Sequence, residues 1–141
     1  MKIDACNNLS FNSRFLRIPY PEQFPKEVLS AVKSNNAIDE FIKAGTPKTF
    51  IGKIIDLFKD KECLEVYYFF DKSYSLASLS FQLGFLRKNK SLFCKHQLDI
   101  RGVVDKNQPP TTAVPRIIKA LNNIKDFNFI TEKPYPQTIN V

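Results

Sequence analysis

The chain predicts an α+β domain. An antiparallel sheet of three to five strands, built on a meander over 63–70, 76–86 and 92–104, packs against helices that precede and follow it in sequence. Three observations predict this. Between Cys63 and Val104 apolar residues recur at every second position, the period of a strand with one buried face. The links inside that stretch are short, which suits antiparallel neighbours. Outside it, apolar residues recur at helical spacing behind recognisable start signals.

In the first meander strand Leu64, Val66, Tyr68 and Phe70 share one face, and Cys63, Glu65, Tyr67 and Phe69 the other. Asp71-Lys72-Ser73 then supplies turn chemistry. In the second, Ala77, Leu79, Phe81, Leu83 and Phe85 oppose Ser78, Ser80, Gln82 and Gly84. Leu76, Leu79, Leu83 and Leu86 also fit a helix, but the serines and Gly84 weaken that reading and the period-2 match is longer. In the third, Leu92, Cys94, His96, Leu98, Ile100 and Val104 oppose Lys95, Gln97, Asp99 and Arg101, with Gly102 marking a bulge or an end.

Around the meander, Met1 to Asn12 is polar, and Arg14 to Tyr20 is an edge strand or extended loop limited by Pro19 and Pro21. Pro25 suits the first position of a helix carrying Val28, Leu29 and Val32. A second helix follows with Asn36 as cap, Ile38, Phe41 and Ile42 inward and Gly45 at its stop. Thr46-Pro47 starts a third, with a stripe of Phe50, Ile54, Leu57 and Phe58, and Ile51 and Ile55 beside it, all expected to be well buried. Past Val104 a loop carries Pro109-Pro110, which exclude a helix there. Thr112 and Pro115 start the last helix, striped by Ile117, Leu121 and Ile124. Phe127 and Phe129 predict a short fourth strand, and 132–141 an extended tail. The expectation is a single domain over 1–141, with 1–12 and 132–141 loosely ordered.

Charge and cysteine content narrow the function classes. A net charge of +7 favours an anionic partner, whether nucleic acid, membrane surface or acidic protein, but equally serves solubility. Cys6, Cys63 and Cys94 are odd in number and form no CxxC pair, which speaks against a disulfide scaffold and a zinc site. No metal and no cofactor is expected. No apolar leader stretch occurs over Met1 to Tyr20, so the expected location is cytoplasmic, or exported without a cleavable signal.

Phosphate-loop chemistry is excluded at Gly45 to Ile54: six residues separate the glycines, and Ile54 rather than Ser or Thr follows Lys53. His96 is the only histidine and the only candidate general base; its neighbours Cys94 and Leu98 on the apolar side favour a packed core residue. Cys94 and His96 are expected to project from one face, but neither a nucleophile turn nor an orienting group accompanies them. Acidic residues are scattered, so a metallonuclease is not expected. Over Phe50 to Leu64 the chain is similar to a segment near the start of some translocated enterobacterial effectors, where an aromatic–Lys–Asp–aromatic helix precedes a Cys-Leu helix. The Trp of that pattern is missing here and a strand replaces the second helix, so the likeness assigns no family.

The binding residues predicted are Arg87, Lys88, Lys90, Lys95 and Arg101, a basic set beside Phe85 and Phe93, together with Tyr67 and Phe69 on the less committed sheet face. Such a surface fits a non-enzymatic protein-interaction module (an inhibitor, effector or accessory factor) that binds a partner protein. The alternative is a nucleic-acid-binding protein or small metal-free ribonuclease using 87–101, where cations track a backbone and rings stack bases.

Overall fold

A computed structural model describes residues 14–45, 49, 51, 61–87, 89–132 and 136–141. Five strands form one mixed sheet in sequence order: β1 (Arg14–Arg17), β2 (Glu62–Asp71), β3 (Leu76–Leu86), β4 (Leu92–Val103) and β5 (Gln137–Asn140). The meander stands as read, with β2, β3 and β4 antiparallel. The edges do not: β1 runs parallel to β2, and β5 parallel to β4. Each parallel pair is joined by a long helical connection, as parallel neighbours require. The sheet is therefore a three-stranded meander flanked by a βαβ crossover at each side, and a purely antiparallel sheet is corrected to a mixed one.

The first crossover carries α1 (Lys26–Lys33) and α2 (Asn36–Ala44). Asn35, not Asn36, caps α2, accepting from the Ile38 N–H at 2.9 Å. Gly45 ends the helix as expected, in right-handed geometry. The predicted helix from Thr46 lies largely outside the described residues, as does the effector-like stretch over 50–60. Ile51 is 71% exposed, against the burial predicted for it. The second crossover carries α3 (Val114–Asn123) and a short α4 (Phe129–Glu132). Pro110 opens a 3-10 turn ahead of α3, so the prolines shape a helical entry rather than excluding one. Phe127 and Phe129 form no strand. Phe127 is fully buried beside Phe81, ring centroids 5.2 Å apart, and Phe129 begins α4. The predicted tail joins the sheet as β5, tied to α4 by Gln137 Nε2 donating to the Phe129 and Ile130 carbonyls.

The helices cover one face of the sheet. Leu64, Val66, Leu79, Phe81, Leu83, Leu98 and Ile100 meet Val28, Val32, Ile38, Phe41, Ile117 and Leu121 in a single core. Arg14 closes its margin, with its guanidinium 4.1 Å over the Phe41 ring and Nη1 donating to the Phe41 carbonyl. A bulge interrupts β3–β4. Leu83 pairs with His96 and Gly84 with Cys94, leaving Lys95 unpaired. Gly84 is required there, since a Cβ would lie 1.9 Å from the Phe93 carbonyl oxygen. Gly102, read as a bulge or the strand's end, is paired in register with Ala77 and sits under Ala113 one residue before β4 ends at Val103.

Candidate functional site

The face turned away from the described helices carries the polar residues of the meander. Register sets them in rows: Arg17, Glu65, Gln82 and Gln97; then Tyr67, Ser80, Asp99 and Thr138; then Phe69, Ser78, Arg101 and Asn140. The central strand places only short serines in the two lower rows, between large side chains on β2 and β4. A trough results. It holds a cavity of about 470 Å³, lined among the described residues chiefly by Tyr20, Tyr67, Phe69, Ser80, Asp99 and Arg101, with Gln23, Tyr68, Gln82 and Gln97 completing the wall.

Two carboxylates lie in this face, both nearly fully buried, Glu65 at 2% and Asp99 at 4% exposure. Buried charge must be paired and hydrogen-bonded. Arg17 pairs with Glu65, and the Tyr67 hydroxyl donates to Glu65 Oε1 at 2.6 Å. Burial, then the neighbouring Glu65, pushes the Tyr67 phenol far above its ordinary range. Gln97 Nε2 donates to both Asp99 oxygens at 3.0 Å, and Arg101 Nη2 to Oδ2 at 3.3 Å. Two arginines therefore balance two acids. The buried Ser78 and Ser80 Oγ and Arg101 Nε have no hydrogen-bond partner.

Around the trough stand exposed rings. Tyr20 and Phe69 are 50% and 47% exposed, and Tyr20 lies 6.2 Å from Tyr67, centroid to centroid. Val103, exposed beyond Arg101, extends the apolar rim.

The predicted binding set divides between two places. Tyr67, Phe69 and Arg101 meet at the trough. Arg87, Lys90 and Lys95 belong to the turn end of the β3–β4 hairpin, Lys95 six residues along β4 from Arg101, roughly 20 Å at strand rise, and the Lys90 carbonyl accepts from Arg17 Nη2 at 3.1 Å. Lys88 lies outside the described residues. Arg87 covers the Phe93 ring at 4.9 Å and Lys95 the Phe85 ring at 4.8 Å. Lys95 was expected beside Gln97 and Asp99; as the extra residue of the bulge it leaves their row.

The bulge also separates Cys94 from His96. Their partners Gly84 and Leu83 are adjacent on β3 and point to opposite faces, so Cys94 joins the polar face and His96 the helix side. Expecting both on one face overlooked that shift of one residue. Burial pushes the Cys94 thiol up, a backbone hydrogen bond with His96 opposes this, and Glu65 and Asp99 raise it further. The thiol stays protonated at neutral pH, the reverse of what a nucleophile needs. His96 Nδ1 is buried without a partner.

Sequence reading missed Arg17, Tyr20 and Ser80 as parts of one site. The available signal was the run of small polar residues on the central strand, a floor flanked by larger side chains.

Among the described residues, no group of three or more His, Cys, Asp or Glu is placed to hold a metal, and no helix is long and apolar enough to cross a membrane. Comparison with known proteins matches no family model, no curated protein and no solved structure.

Proposed function

We propose that the protein is a non-enzymatic interaction module that seats a segment of a partner protein in the trough of its polar sheet face. The observation carrying this reading is the half-exposed aromatic rim of Tyr20 and Phe69 around a concave, hydrogen-bonding floor. Rigid aromatics beside polar groups are the chemistry of protein-binding hot spots. Charge on the polar face cancels between Arg17, Arg101, Glu65 and Asp99, which favours a peptide over a phosphate backbone. Its carboxylates already hold their own donors, which disfavours acid–base chemistry.

Affinity capture of an interacting protein by the purified chain tests this. The same protein should be retained by the wild type and by Lys119→Asp, on exposed α3 surface, and lost with Phe69→Asp. Retention unaffected by Phe69→Asp would remove the reading.

A second reading places nucleic acid at the hairpin end, favoured by Arg87, Lys90 and Lys95 beside Phe93, itself 49% exposed. Its hydrolytic form would need His96, which lies on the helix side of the sheet. Heparin and RNA retention over a salt series separates this reading from the first. Retention that falls steeply with salt and vanishes in Arg87→Ala/Lys90→Ala supports it; no retention at low salt removes it.

A further inference from the structure

We propose that the turn end of the β3–β4 hairpin is a contact for an anionic membrane surface, separate from the trough and independent of its reading. The hairpin closes on two apolar cross-strand pairs, Phe85 with Phe93 on one side of the ribbon and Leu86 with Leu92 on the other. Phe93 is 49% exposed, and the other three are half-buried. Apolar side chains on both sides of a ribbon, up to its turn, mark a contact surface rather than a solvated tip. The charge around them has one sign. Arg87, Lys90 and Lys95 are exposed and make no ion pair with a described residue. From Phe85 to Leu98 the sequence holds no Asp or Glu. Glu62, the acid opposite Phe85, is taken by Arg14 at 2.5 Å. Nothing at this end therefore repels an anionic surface.

The placement of the cations selects a membrane over a nucleic acid. The bulge turns Lys95 out of the polar row and over Phe85, at 4.8 Å, while Arg87 lies over Phe93 at 4.9 Å. A base could stack on either of those ring faces only by displacing the cation. At a bilayer the same arrangement is kept. The rings enter the boundary between headgroups and acyl chains, and the cations beside them meet the phosphates. Neither signal holds the chain alone: one half-exposed ring is a weak anchor, and each Lys or Arg at an anionic leaflet strengthens binding only about fivefold. Binding therefore requires both the ring and the anionic lipid.

The chain contains no Trp, so Phe93→Trp introduces a single fluorescent reporter at an exposed position. With vesicles of phosphatidylcholine and about 30% phosphatidylserine, its emission should move to the blue and be quenched by brominated acyl chains. Pure phosphatidylcholine should leave it unchanged. Tyr74→Trp, in the turn at the opposite end of β3 and also exposed, should not respond to either vesicle. Co-sedimentation of the full chain with the anionic vesicles should weaken about fivefold in Arg87→Ala and in Lys95→Ala, and be lost at about 1 M salt. Phe93→Ser, which leaves the charge unchanged, should weaken it about threefold to tenfold. Failure of the wild-type chain to sediment with the anionic vesicles overturns the proposal. So does binding with no emission change at position 93, or with indifference to Phe93→Ser, since either describes adsorption by charge alone. A response from position 74 in place of 93 puts the contact at the wrong end of the sheet. Retention on single-stranded RNA without vesicle binding gives the hairpin end to nucleic acid instead.

Discussion

Glu65 is the residue on which the polar face depends. It is a buried acid held by Arg17 from the neighbouring strand and by Tyr67 two positions along its own. Removing one partner from such a pair leaves a buried charge uncompensated, so Arg17→Met should cost about 3 kcal/mol in denaturant unfolding. Arg17→Met/Glu65→Leu should recover much of that loss, since two apolar side chains need no pairing. Tyr67 makes a pH prediction. Its ionisation is raised in the folded chain, so the unfolded chain releases this proton first as pH rises. Its contribution is full below about pH 10, the ordinary tyrosine value, and drains away above it. Tyr67→Phe should therefore flatten the alkaline loss of stability. Absorbance at the tyrosinate band should fall short of five tyrosines at about pH 11 and step up on unfolding. A native chain that titrates all five there contradicts the burial of Tyr67 and Tyr68, both raised.

At the scale of elements, the meander was legible because three consecutive runs of eight or more residues follow a period of two and are joined by short turns, the second of them alternating most cleanly. The edge strands were not. Four residues are too few to display a period, and neither Arg14–Arg17 nor Gln137–Asn140 states which neighbour it joins or in which direction. The bulge at Gly84 escaped for a different reason: one extra residue reverses every side chain beyond it, and periodicity read straight through puts Cys94 on the wrong face. That glycine is the most exacting position in the sheet. Gly84→Ala should destabilise by at least about 2 kcal/mol, because the obstructing atom is backbone and cannot swing aside. Asn35→Ala should cost about 1 kcal/mol by removing the α2 cap. Phe127, read as strand and found to be core, should cost about 3–5 kcal/mol as Phe127→Ala. Thermal or denaturant midpoints check all three, and a neutral Gly84→Ala contradicts the bulge.

For the whole molecule, the +7 charge was plain in the sequence, but its distribution was not. Arg17 and Arg101 are paired with acids on the polar face, whereas Arg87 and Lys95 lie over rings at the β3–β4 hairpin turn, where the Lys90 carbonyl accepts from Arg17. Tyr67, Phe69 and Arg101 could be nominated singly from their strand positions. Their union with Arg17, a salt-bridge partner 48 positions from Glu65, depends on the parallel crossover that strand periodicity does not reveal. Among the described residues, the sheet has one face packed by helices and one that combines a balanced polar floor with exposed rings. Photo-crosslinking tests that division most directly. A benzophenone side chain placed at position 69 or 103 should give a covalent adduct of one common mass with the captured partner, and none when placed at position 119. Adducts formed from 119 but from neither 69 nor 103 would contradict the assignment of the polar sheet face as the binding surface.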